Sequence, residues 1–340
     1  VLFVGPARGL EFKVLAPEGF DLELISAKPV MGKGLLGALT GLCALPVSLW
    51  QCLRILRARR ADLVIGVGGY TSPMMLLAAA LAGVARVILE PNANPGMANK
   101  AVGPFAQRVF LAFESAADSF DHSKVRVVGT PIRKAFLEGI EQNRKMSGSP
   151  HLLIFGGSQG AKAMNTAVME GLPDLMTQLP HLTVTHQTGE SDHARVAEAY
   201  RGAGIEPHVM PFIYDMPAAL RQADLVVARA GAMTVAELTA CGKPAILIPL
   251  PSAIYDHQTR NAKVMEAAGA AVVLLQSVLT GPLLARTVVG ILGDPERLRA
   301  MGEASLSLRR IDAAEAIVRE CYSLIGGHHD VNRSVRAAGD

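Results

Sequence analysis

Two glycine-rich turns are the strongest candidates for ligand-binding sites in the sequence. The first, Gly156-Gly157-Ser158-Gln159-Gly160, follows the apolar run HLLIF and precedes a helical stretch. Glycines let backbone N–H groups approach a ligand, the start of a helix adds partial positive charge, and the Ser158 hydroxyl can donate to a phosphate oxygen. A tight turn without a ligand is the alternative. The Lys-Ser/Thr pair of an ATP-binding loop is absent, which disfavours ATP hydrolysis.

The second glycine turn lies in the segment RAGAMTVAEL and precedes an acidic residue, Glu237. Residues Ala232–Ala236 are expected to open a helix, which places Glu237 about one turn into it. A carboxylate at this position can accept hydrogen bonds from both hydroxyls of a ribose, as acidic residues do in dinucleotide sites. The alternative is the ordinary preference for acidic residues near helix N-termini, worth about 0.3–1 kcal/mol.

A polar helix start in YDHQTRNA suits a sugar. Gln258 and Asn261 are expected on one helix face at i, i+3, and neutral amides suit sugar hydroxyls. A helix cap built from Asp256 is the alternative.

Four further residues lie at strand ends. Arg133 follows a strand and a proline turn, where its guanidinium could meet a diphosphate or a surface carboxylate. Glu90 and Asn92 end another strand, either at a ligand site or in a solvated loop. His186 stands alone at a strand end, where a structural role is favoured over a catalytic one. No D-x-D pair occurs, which argues against a carboxylate-bound metal, and no cofactor is expected.

The elements that position these residues alternate between apolar strands and helices. The segments DLVIGVGGY and DLVVARAGA both place a glycine seven positions after the aspartate, and each continues into a helix and another strand. A strand, a glycine turn and a helix form the repeating element of a doubly wound parallel sheet. Two similar α/β domains with ligands in a cleft beyond the strand ends are therefore predicted, although two generic turns could also match by coincidence.

The predicted strands form one series in each half of the chain. The polar segment Glu141–Pro150 is the expected boundary between the halves. The predicted strands are Val1–Val4, Asp21–Ile25, Leu63–Gly66, Ala85–Leu89, Arg108–Ala112, Lys124–Val128, Leu152–Phe155, Thr183–His186, Glu206–Pro211, Leu225–Ala228, Ala245–Ile248 and Ala271–Leu275.

Bulk composition fits a two-domain globular protein. The chain has 340 residues, of which 50% are hydrophobic and 19% charged. A net charge of +3 with scattered basic residues argues against nucleic acid as a partner. The 4 cysteines form no C-x-x-C pair, so a reducing compartment without disulfides or zinc is favoured.

An uncharged stretch, Gly34–Leu53, lies between Lys33 and the basic segment RILRARR. An apolar helix pair lying on a membrane surface fits best, because Pro46 interrupts the stretch and the flanking strands must join one sheet. A helix that only covers the core and a true membrane span are the alternatives.

The motifs together resemble one family, the lipid II-forming N-acetylglucosamine transferases of peptidoglycan synthesis in glycosyltransferase family 28. They are GVGGYTSP, EPN before GMANK, VVGTPIR, GGSQGAKAMN, HQTG, FIYDMPAAL, RAGAMTVAEL and DHQTRNA, in order over about residues 1–320. The resemblance implies the α/β GT-B fold, with two Rossmann-like doubly wound domains facing a cleft. It also implies transfer of N-acetylglucosamine from UDP-N-acetylglucosamine to undecaprenyl-diphospho-N-acetylmuramoyl-pentapeptide (lipid I).

The resemblance also implies domain boundaries and a location. Residues 1–140 would form the acceptor and membrane-side domain, 150–310 the UDP-sugar domain, 311–326 a helix returning to the first domain, and 327–340 a flexible tail. The enzyme would be peripheral on the cytoplasmic face of the bacterial plasma membrane. Its partners would be the lipid acceptor, the membrane surface and the cell-wall and division machinery.

The resemblance assigns the donor-site residues by motif. Arg133 and Ser158 would meet the diphosphate, and Glu237 would hold the ribose. Ile213 would contact uracil through its backbone, with Phe212 beside the base. The remaining residues would line the phosphate turn (Ala232, Met233, Thr234, Val235 and Ala236) or face the sugar (Asn92, Gln258 and Asn261).

One departure from the family pattern concerns the start of the chain. Family members begin with a strand and a Gly-Gly-Thr-Gly-Gly-His loop, which this sequence lacks. The chain is therefore expected to be N-terminally truncated and to start at the family's second strand. The candidate catalytic base is the histidine of the missing loop, so no base is assigned in this sequence. A UDP-N-acetylglucosamine 2-epimerase-like enzyme and a non-catalytic UDP-sugar-binding protein are the alternative functions.

Overall fold

The structure, a computed structural model, describes residues 1–6, 19–25, 34–138, 148–157, 160–203, 208–251, 253 and 256–326, with the backbone alone for 34–44. Two units of compact structure divide the chain. The first unit comprises Val1–Pro91, Pro95–Val128 and the segment that starts at Glu315; the second comprises Asn92–Asn94 and Gly129–Ala314.

Most strands of both units are followed by a helix, as the apolar pattern predicts. Within the described residues, the first unit contains β1 (Leu2–Pro6), β2 (Asp21–Ile25), α1 (Gly34–Arg59), β3 (Leu63–Gly66), α2 (Ser72–Ala82), β4 (Ala85–Glu90), α3 (Met97–Val102), β5 (Arg108–Leu111) and β6 (Val125–Val127). The second contains β7 (His151–Phe155), α4 (Lys162–Gln178), β8 (Thr183–Gln187), α5 (His193–Gly202), β9 (His208–Met210), α6 (Met216–Gln222), β10 (Leu225–Ala228), α7 (Ala232–Ala240), β11 (Ala245–Leu247), α8 (His257–Ala267), β12 (Ala271–Val273), α9 (Gly281–Leu292) and α10 (Pro295–Ser307). The last helix, α11 (Ala313–Leu324), starts in the second unit and continues into the first. Strand β5 leads to β6 without an intervening α-helix, and α9 is followed directly by α10.

The second unit is built on a six-stranded sheet in the order β12-β11-β10-β7-β8-β9. Every strand pair is parallel, so the carboxyl ends of all six strands lie at one edge. Strand β7 is buried along its whole length, which explains its continuous apolar sequence. Apolar side chains of α4 and α9 join the same core, among them Met164, Leu172, Leu284 and Ile291.

The first unit contains two parallel sheets within the described residues, β1-β2 and β3-β4-β5-β6. Apolar side chains from β2, α1, α2 and β5 form its main core. Helix α11 adds a smaller cluster, in which Ile317 and Cys321 pack with Val87 and Phe110. The Arg108 Nε atom donates to the Glu320 carboxylate over 3.1 Å and so pairs β5 with α11.

Helix α1 differs from the predicted helix pair, because it is one continuous helix that passes through Pro46. A proline has a helix-compatible φ and removes one main-chain donor, so a helix that packs well elsewhere can continue through it. In the described part of the chain, no helix combines the length and the apolar character that crossing a bilayer requires.

Candidate functional site

The carboxyl edge of the second unit's sheet gathers the glycine turns found in the sequence. Gly156 follows β7, Gly189 lies two positions beyond β8, and Gly231 precedes α7 after β10. These strands are parallel neighbours, so the segments that follow them lie at the same edge. This is where ligands bind in open parallel sheets.

The first turn requires glycine at two of its described positions. A Cβ atom on Gly156 would lie 2.6 Å from the Ala161 nitrogen, and one on Gly160 would lie 2.2 Å from the Thr188 carbonyl oxygen. Gly160 also has a φ of +72°, which L side chains rarely adopt. The Gly160 N–H donates to the Gly157 carbonyl over 2.9 Å and closes the turn. Ser158, expected to meet the diphosphate, lies outside the described residues.

The N-terminus of α7 is the second place at this edge where the backbone geometry suits an anion. Its N-cap is Gly231, which has no side chain to cap the first N–H groups. The Val235 N–H already donates to the Gly231 carbonyl over 3.0 Å, so the N–H groups of Ala232, Met233 and Thr234 precede the helical hydrogen-bond pattern. These are the groups that a phosphate accepts from at a helix start.

Glu237 and Arg133 introduce opposite charges into the second unit. Burial raises the pKa of the Glu237 carboxyl from 4.5 to about 7, and the charge of Arg133 opposes this shift. Arg133 is exposed, and its guanidinium carbon lies 5.0 Å from the Phe136 ring centre. Near neutral pH the carboxyl of Glu237 is therefore divided between its protonated and ionised forms.

The segment between β9 and α6 combines a buried aliphatic residue with two exposed aromatic ones. Ile213 is buried, whereas Phe212 and Tyr214 are 44% and 87% exposed. The two rings meet edge to face, with centroids 5.1 Å apart. The Asp215 side chain accepts from the Ala218 N–H and caps α6. An exposed aromatic pair on a fixed backbone is suited to contacting a flat base.

The two amides predicted to face a sugar are used differently. The Gln258 Oε1 atom accepts from the Leu250 N–H over 3.0 Å, so the donor that Gln258 can offer a ligand is its amide nitrogen. Asn261 is fully buried; its Oδ1 atom accepts from the Ala93 N–H over 2.8 Å. Its Nδ2 atom donates to the Asn92 side chain and the Ala230 carbonyl. Asn261 therefore holds the segment Asn92–Asn94.

Asp256, the alternative to a sugar-binding role for YDHQTRNA, is the N-cap residue of α8. It has a φ of 55° and makes no side-chain capping hydrogen bond. Helix α8 begins at His257, so Gln258 and Asn261 lie on one helix, as the i, i+3 spacing predicts.

The first unit has its own polar strand end. Glu90 is almost completely buried, and its Oε2 atom accepts from the Gly96 N–H over 3.0 Å and from Asn99 Nδ2 over 2.8 Å. The repeated segment supplies Gly68 and Gly69, both with positive φ, and the Ser72 hydroxyl bonds to the Gly68 backbone. Glu90 therefore braces the loop that follows β4.

Sequence reasoning missed several buried polar residues of the second unit. The guanidinium of Arg229 donates to the Ile248 and Pro249 carbonyls and to Gln276 Oε1. Asn165 and Gln187 contact groups beside the first glycine turn. The only sequence signal for them was their presence in the motifs GGSQGAKAMN, HQTG and RAGAMTVAEL.

His186 is held inside this second unit as a neutral group. It is fully buried, with Nδ1 3.2 Å from the Tyr200 hydroxyl and Nε2 3.1 Å from Asn165 Oδ1. Burial lowers its pKa to about 3, against a weaker opposing effect of Asp192. Among the described residues, no group of three or more His, Cys, Asp or Glu side chains could hold a metal ion.

Comparison with known proteins covers both units. Residues 151–317 match the model of the glycosyltransferase family 28 C-terminal domain, and residues 1–111 match that of the N-terminal domain. The chain is 46% identical over 325 residues to a UDP-N-acetylglucosamine--N-acetylmuramyl-(pentapeptide) pyrophosphoryl-undecaprenol N-acetylglucosamine transferase of Anaeromyxobacter sp. (strain Fw109-5), covering 96% of this chain and 85% of that protein. A protein of the same description from Syntrophus aciditrophicus is also 46% identical, with 96% and 90% covered.

Solved structures show the same architecture. The crystal structure of Acinetobacter baumannii MurG superposes with a TM-score of 0.77 at 28% identity, covering 94% of this chain and 90% of that chain. A UDP-GlcNAc 2-epimerase from Neisseria meningitidis has a TM-score of 0.64 at 14% identity, covering 94% of this chain and 90% of its own, which is a likeness of fold alone. The two-unit α/β architecture with parallel sheets is the GT-B fold, as predicted.

Proposed function

The chain belongs to glycosyltransferase family 28, and we propose that it transfers N-acetylglucosamine from UDP-N-acetylglucosamine to the muramoyl 4-hydroxyl of undecaprenyl-diphospho-N-acetylmuramoyl-pentapeptide, forming lipid II. The observation that carries the proposal is the 46% identity with transferases of that description over 96% of the chain. The aligned 325 residues include both units of the chain, so the similarity is not limited to one domain.

The donor would bind at the carboxyl edge of the second unit's sheet. The N–H groups of the first turn and of the α7 N-terminus would bind the diphosphate, with Ser158 and Arg133 adding a hydroxyl and a positive charge. Glu237 would accept the ribose hydroxyls, and the backbone of Ile213 would contact uracil. The amide nitrogen of Gln258, together with Asn92, would contact the sugar.

The reaction would proceed by direct displacement. A base removes the proton of the acceptor hydroxyl, whose oxygen attacks the anomeric carbon as the bond to the β-phosphate oxygen of UDP breaks. The carbon inverts from α to β. The negative charge that develops on the leaving diphosphate is stabilised by the α7 N–H groups, the glycine turn and Arg133. Loss of one such donor typically costs about 10²–10³ in rate.

The acceptor is lipid-linked, and α1 offers a surface that suits the membrane. Trp50 is 60% exposed, and the Arg54 guanidinium carbon lies 5.9 Å from its ring centre. Val47, Arg57 and Ala58 are exposed on the same face. An aromatic ring with arginines at an apolar surface is typical of peripheral contact with anionic lipid. We place the enzyme on the cytoplasmic face of the plasma membrane, where UDP-sugars are available.

Membrane contact is tested by co-sedimentation with vesicles containing anionic lipid. Trp50→Ala and Arg54→Glu should each reduce the bound fraction several-fold. Arg286→Glu makes the same charge change on an exposed residue of α9 and serves as the control. Equal vesicle binding by the wild type and all three variants would exclude α1 as the membrane-contact surface.

The epimerase alternative is not favoured, because its support is a likeness of fold at 14% identity. The two activities differ in their products. The protein is incubated with radiolabelled UDP-N-acetylglucosamine, with and without a lipid I analogue, and the products are separated. We expect label in the lipid only when the acceptor is present. Release of an epimerised sugar without acceptor, or no transfer to lipid by the folded protein, would contradict the transferase function.

A further inference from the structure

A chain of buried polar groups connects the interior of the second unit to the first glycine turn. Asn165, in the first turns of α4, is fully buried and lies at its centre. Its Nδ2 atom donates to the Thr188 carbonyl over 2.9 Å and to Asp192 Oδ2 over 2.8 Å. Its Oδ1 atom lies 3.1 Å from His186 Nε2, and His186 Nδ1 lies 3.2 Å from the Tyr200 hydroxyl.

The hydrogen-bond directions in this network follow from its ends. Thr188 O and the Asp192 carboxylate can only accept, so the amide nitrogen of Asn165 must face them and its oxygen must face His186. His186 Nε2 therefore carries the proton, and Nδ1 accepts from Tyr200. The Arg195 guanidinium donates to both Asp192 oxygens, over 2.9 and 2.8 Å, and compensates the one negative charge. The network has a single consistent arrangement of donors.

Two successive residues connect the network to the glycine turn. Gln187 is the last residue of β8, and Thr188 follows it. Thr188 supplies the carbonyl that Asn165 binds, and the same oxygen would lie only 2.2 Å from a Cβ atom on Gly160. Gln187, only 2% exposed, donates its Nε2 hydrogen to the Gly157 carbonyl over 2.7 Å. Gly157 and Gly160 thus both contact residues at the end of β8.

We propose that Gln187 and Asn165 are positioning residues, which hold Gly157 and Gly160 of the first glycine turn in place for binding of the donor diphosphate. The proposal rests on the function proposed above. Both side chains are buried, so they act on a ligand through the turn rather than by touching it. Glycines give the turn many accessible conformations, and binding by backbone N–H groups requires one of them. The network restrains Gly157 and Gly160 before the ligand arrives.

Gln187→Met tests the direct contact, because it removes the amide donor and nearly preserves the volume. Affinities for UDP and for uridine are measured by calorimetry. We expect UDP affinity to fall about tenfold, the size of one lost hydrogen bond to a positioned group, with uridine affinity unchanged. Gln222→Met, an exposed glutamine at the end of α6, is the matched control and should bind both ligands like the wild type.

Asn165→Ser tests the indirect contact, and it should show the same selective loss of UDP affinity. Gln187→Asn keeps an amide but shortens the side chain by one methylene. If Gln187→Met does not fold, Gln187→Asn replaces it, and we expect the same fall in UDP affinity with unchanged uridine affinity. Unchanged UDP affinity in the folded variants would overturn the proposal. An equal fall in UDP and uridine affinity would overturn it as well, because general damage to the unit would then explain the loss.

The wild-type protein separates this proposal from the function on which it rests. Wild-type protein that binds UDP but transfers no sugar to lipid contradicts the proposed function, while the comparison of UDP with uridine still decides the role of Gln187 and Asn165. Wild-type protein that binds no UDP contradicts both.

Discussion

Burial favours the uncharged form of two titratable residues of the second unit, Glu237 and His186. Burial raises the pKa of the Glu237 carboxyl to about 7. It lowers the pKa of the His186 imidazole to about 3, so His186 is neutral at pH 7. The proposed ribose contact favours the ionised form of Glu237, because both oxygens of a carboxylate act only as acceptors, whereas protonation turns one of them into a donor. A buried histidine that donates and accepts one hydrogen bond each is useful in its neutral form. Desolvation acts on both groups, and it raises the pKa of an acid whereas it lowers the pKa of a base.

Donor affinity should depend on the ionisation of Glu237. The proposed contact with the ribose hydroxyls favours the ionised carboxyl, so affinity should rise as pH rises through about 7. We expect UDP-N-acetylglucosamine to bind about tenfold more tightly at pH 8 than at pH 6. The donor's diphosphate diester stays fully ionised over this range. Calorimetry with Glu237→Gln should show weaker binding and a flat profile; parallel profiles for both proteins would exclude Glu237 as the titrating group.

Stability in acid should depend on His186. Its pKa in the folded protein, about 3, lies below its ordinary value of 6.5, so the unfolded chain binds a proton first. The contribution to stability is complete above pH 6.5 and is lost as pH falls toward 3. Each pH unit in this window costs about 1.4 kcal/mol. Denaturant unfolding at pH 7.5 and 4.5 should show a smaller loss for His186→Gln than for the wild type. An identical loss in both proteins would contradict this assignment.

Two secondary-structure elements pack so closely against the first glycine turn that a Cβ atom on Gly156 or Gly160 would clash with their backbone. The end of β8 lies against Gly160, and the start of α4 lies against Gly156. Contacts this close leave no space for a side chain, so the turn is fixed by its neighbours as well as by its own sequence. The N-terminus of α7 differs, because its N-cap glycine makes no side-chain hydrogen bond to the first N–H groups.

Gly160→Ala should be strongly destabilising. The added Cβ atom would lie 2.2 Å from the Thr188 carbonyl oxygen, and the backbone φ of +72° is itself unfavourable for alanine. We expect a loss of about 2–4 kcal/mol of unfolding free energy, together with loss of UDP binding. Gly202→Ala is the control: it lies at the end of α5 with nothing within 4 Å of its Cβ position. Equal unfolding free energies for Gly160→Ala and Gly202→Ala would show that Gly160 is not closely packed.

The whole molecule divides into two units, and α11 belongs mostly to the first although it follows the second in sequence. It buries Ile317 and Cys321 beside Val87 and Phe110 and pairs Glu320 with Arg108. The first unit therefore contains residues from both ends of the sequence. Unfolding of a chain with two units need not be two-state, so each unit should be followed by its own signal.

Ile317→Ala should destabilise the first unit by about 2–4 kcal/mol, because it leaves a cavity in a buried cluster. Val318→Ala, one position along the same helix and 37% exposed, should change stability by less than about 1 kcal/mol. Hydrogen exchange of β4 and β5 amides reports the first unit separately. Equal effects of the two substitutions would show that α11 does not support this sheet.

The sequence by itself determined the order of strands and helices, the parallel sheets and the position of both glycine turns. These features depend on hydrophobic periodicity and on local steric freedom, which can be read within a few residues. Only the tertiary structure decided which polar side chains are already hydrogen-bonded to other parts of the protein. Asn261, predicted near a sugar, binds the backbone of Ala93, 168 positions away. Asn165 and Gln187 gained a role only when β8 was placed beside the turn. Such partners depend on packing between distant segments, which no local pattern encodes.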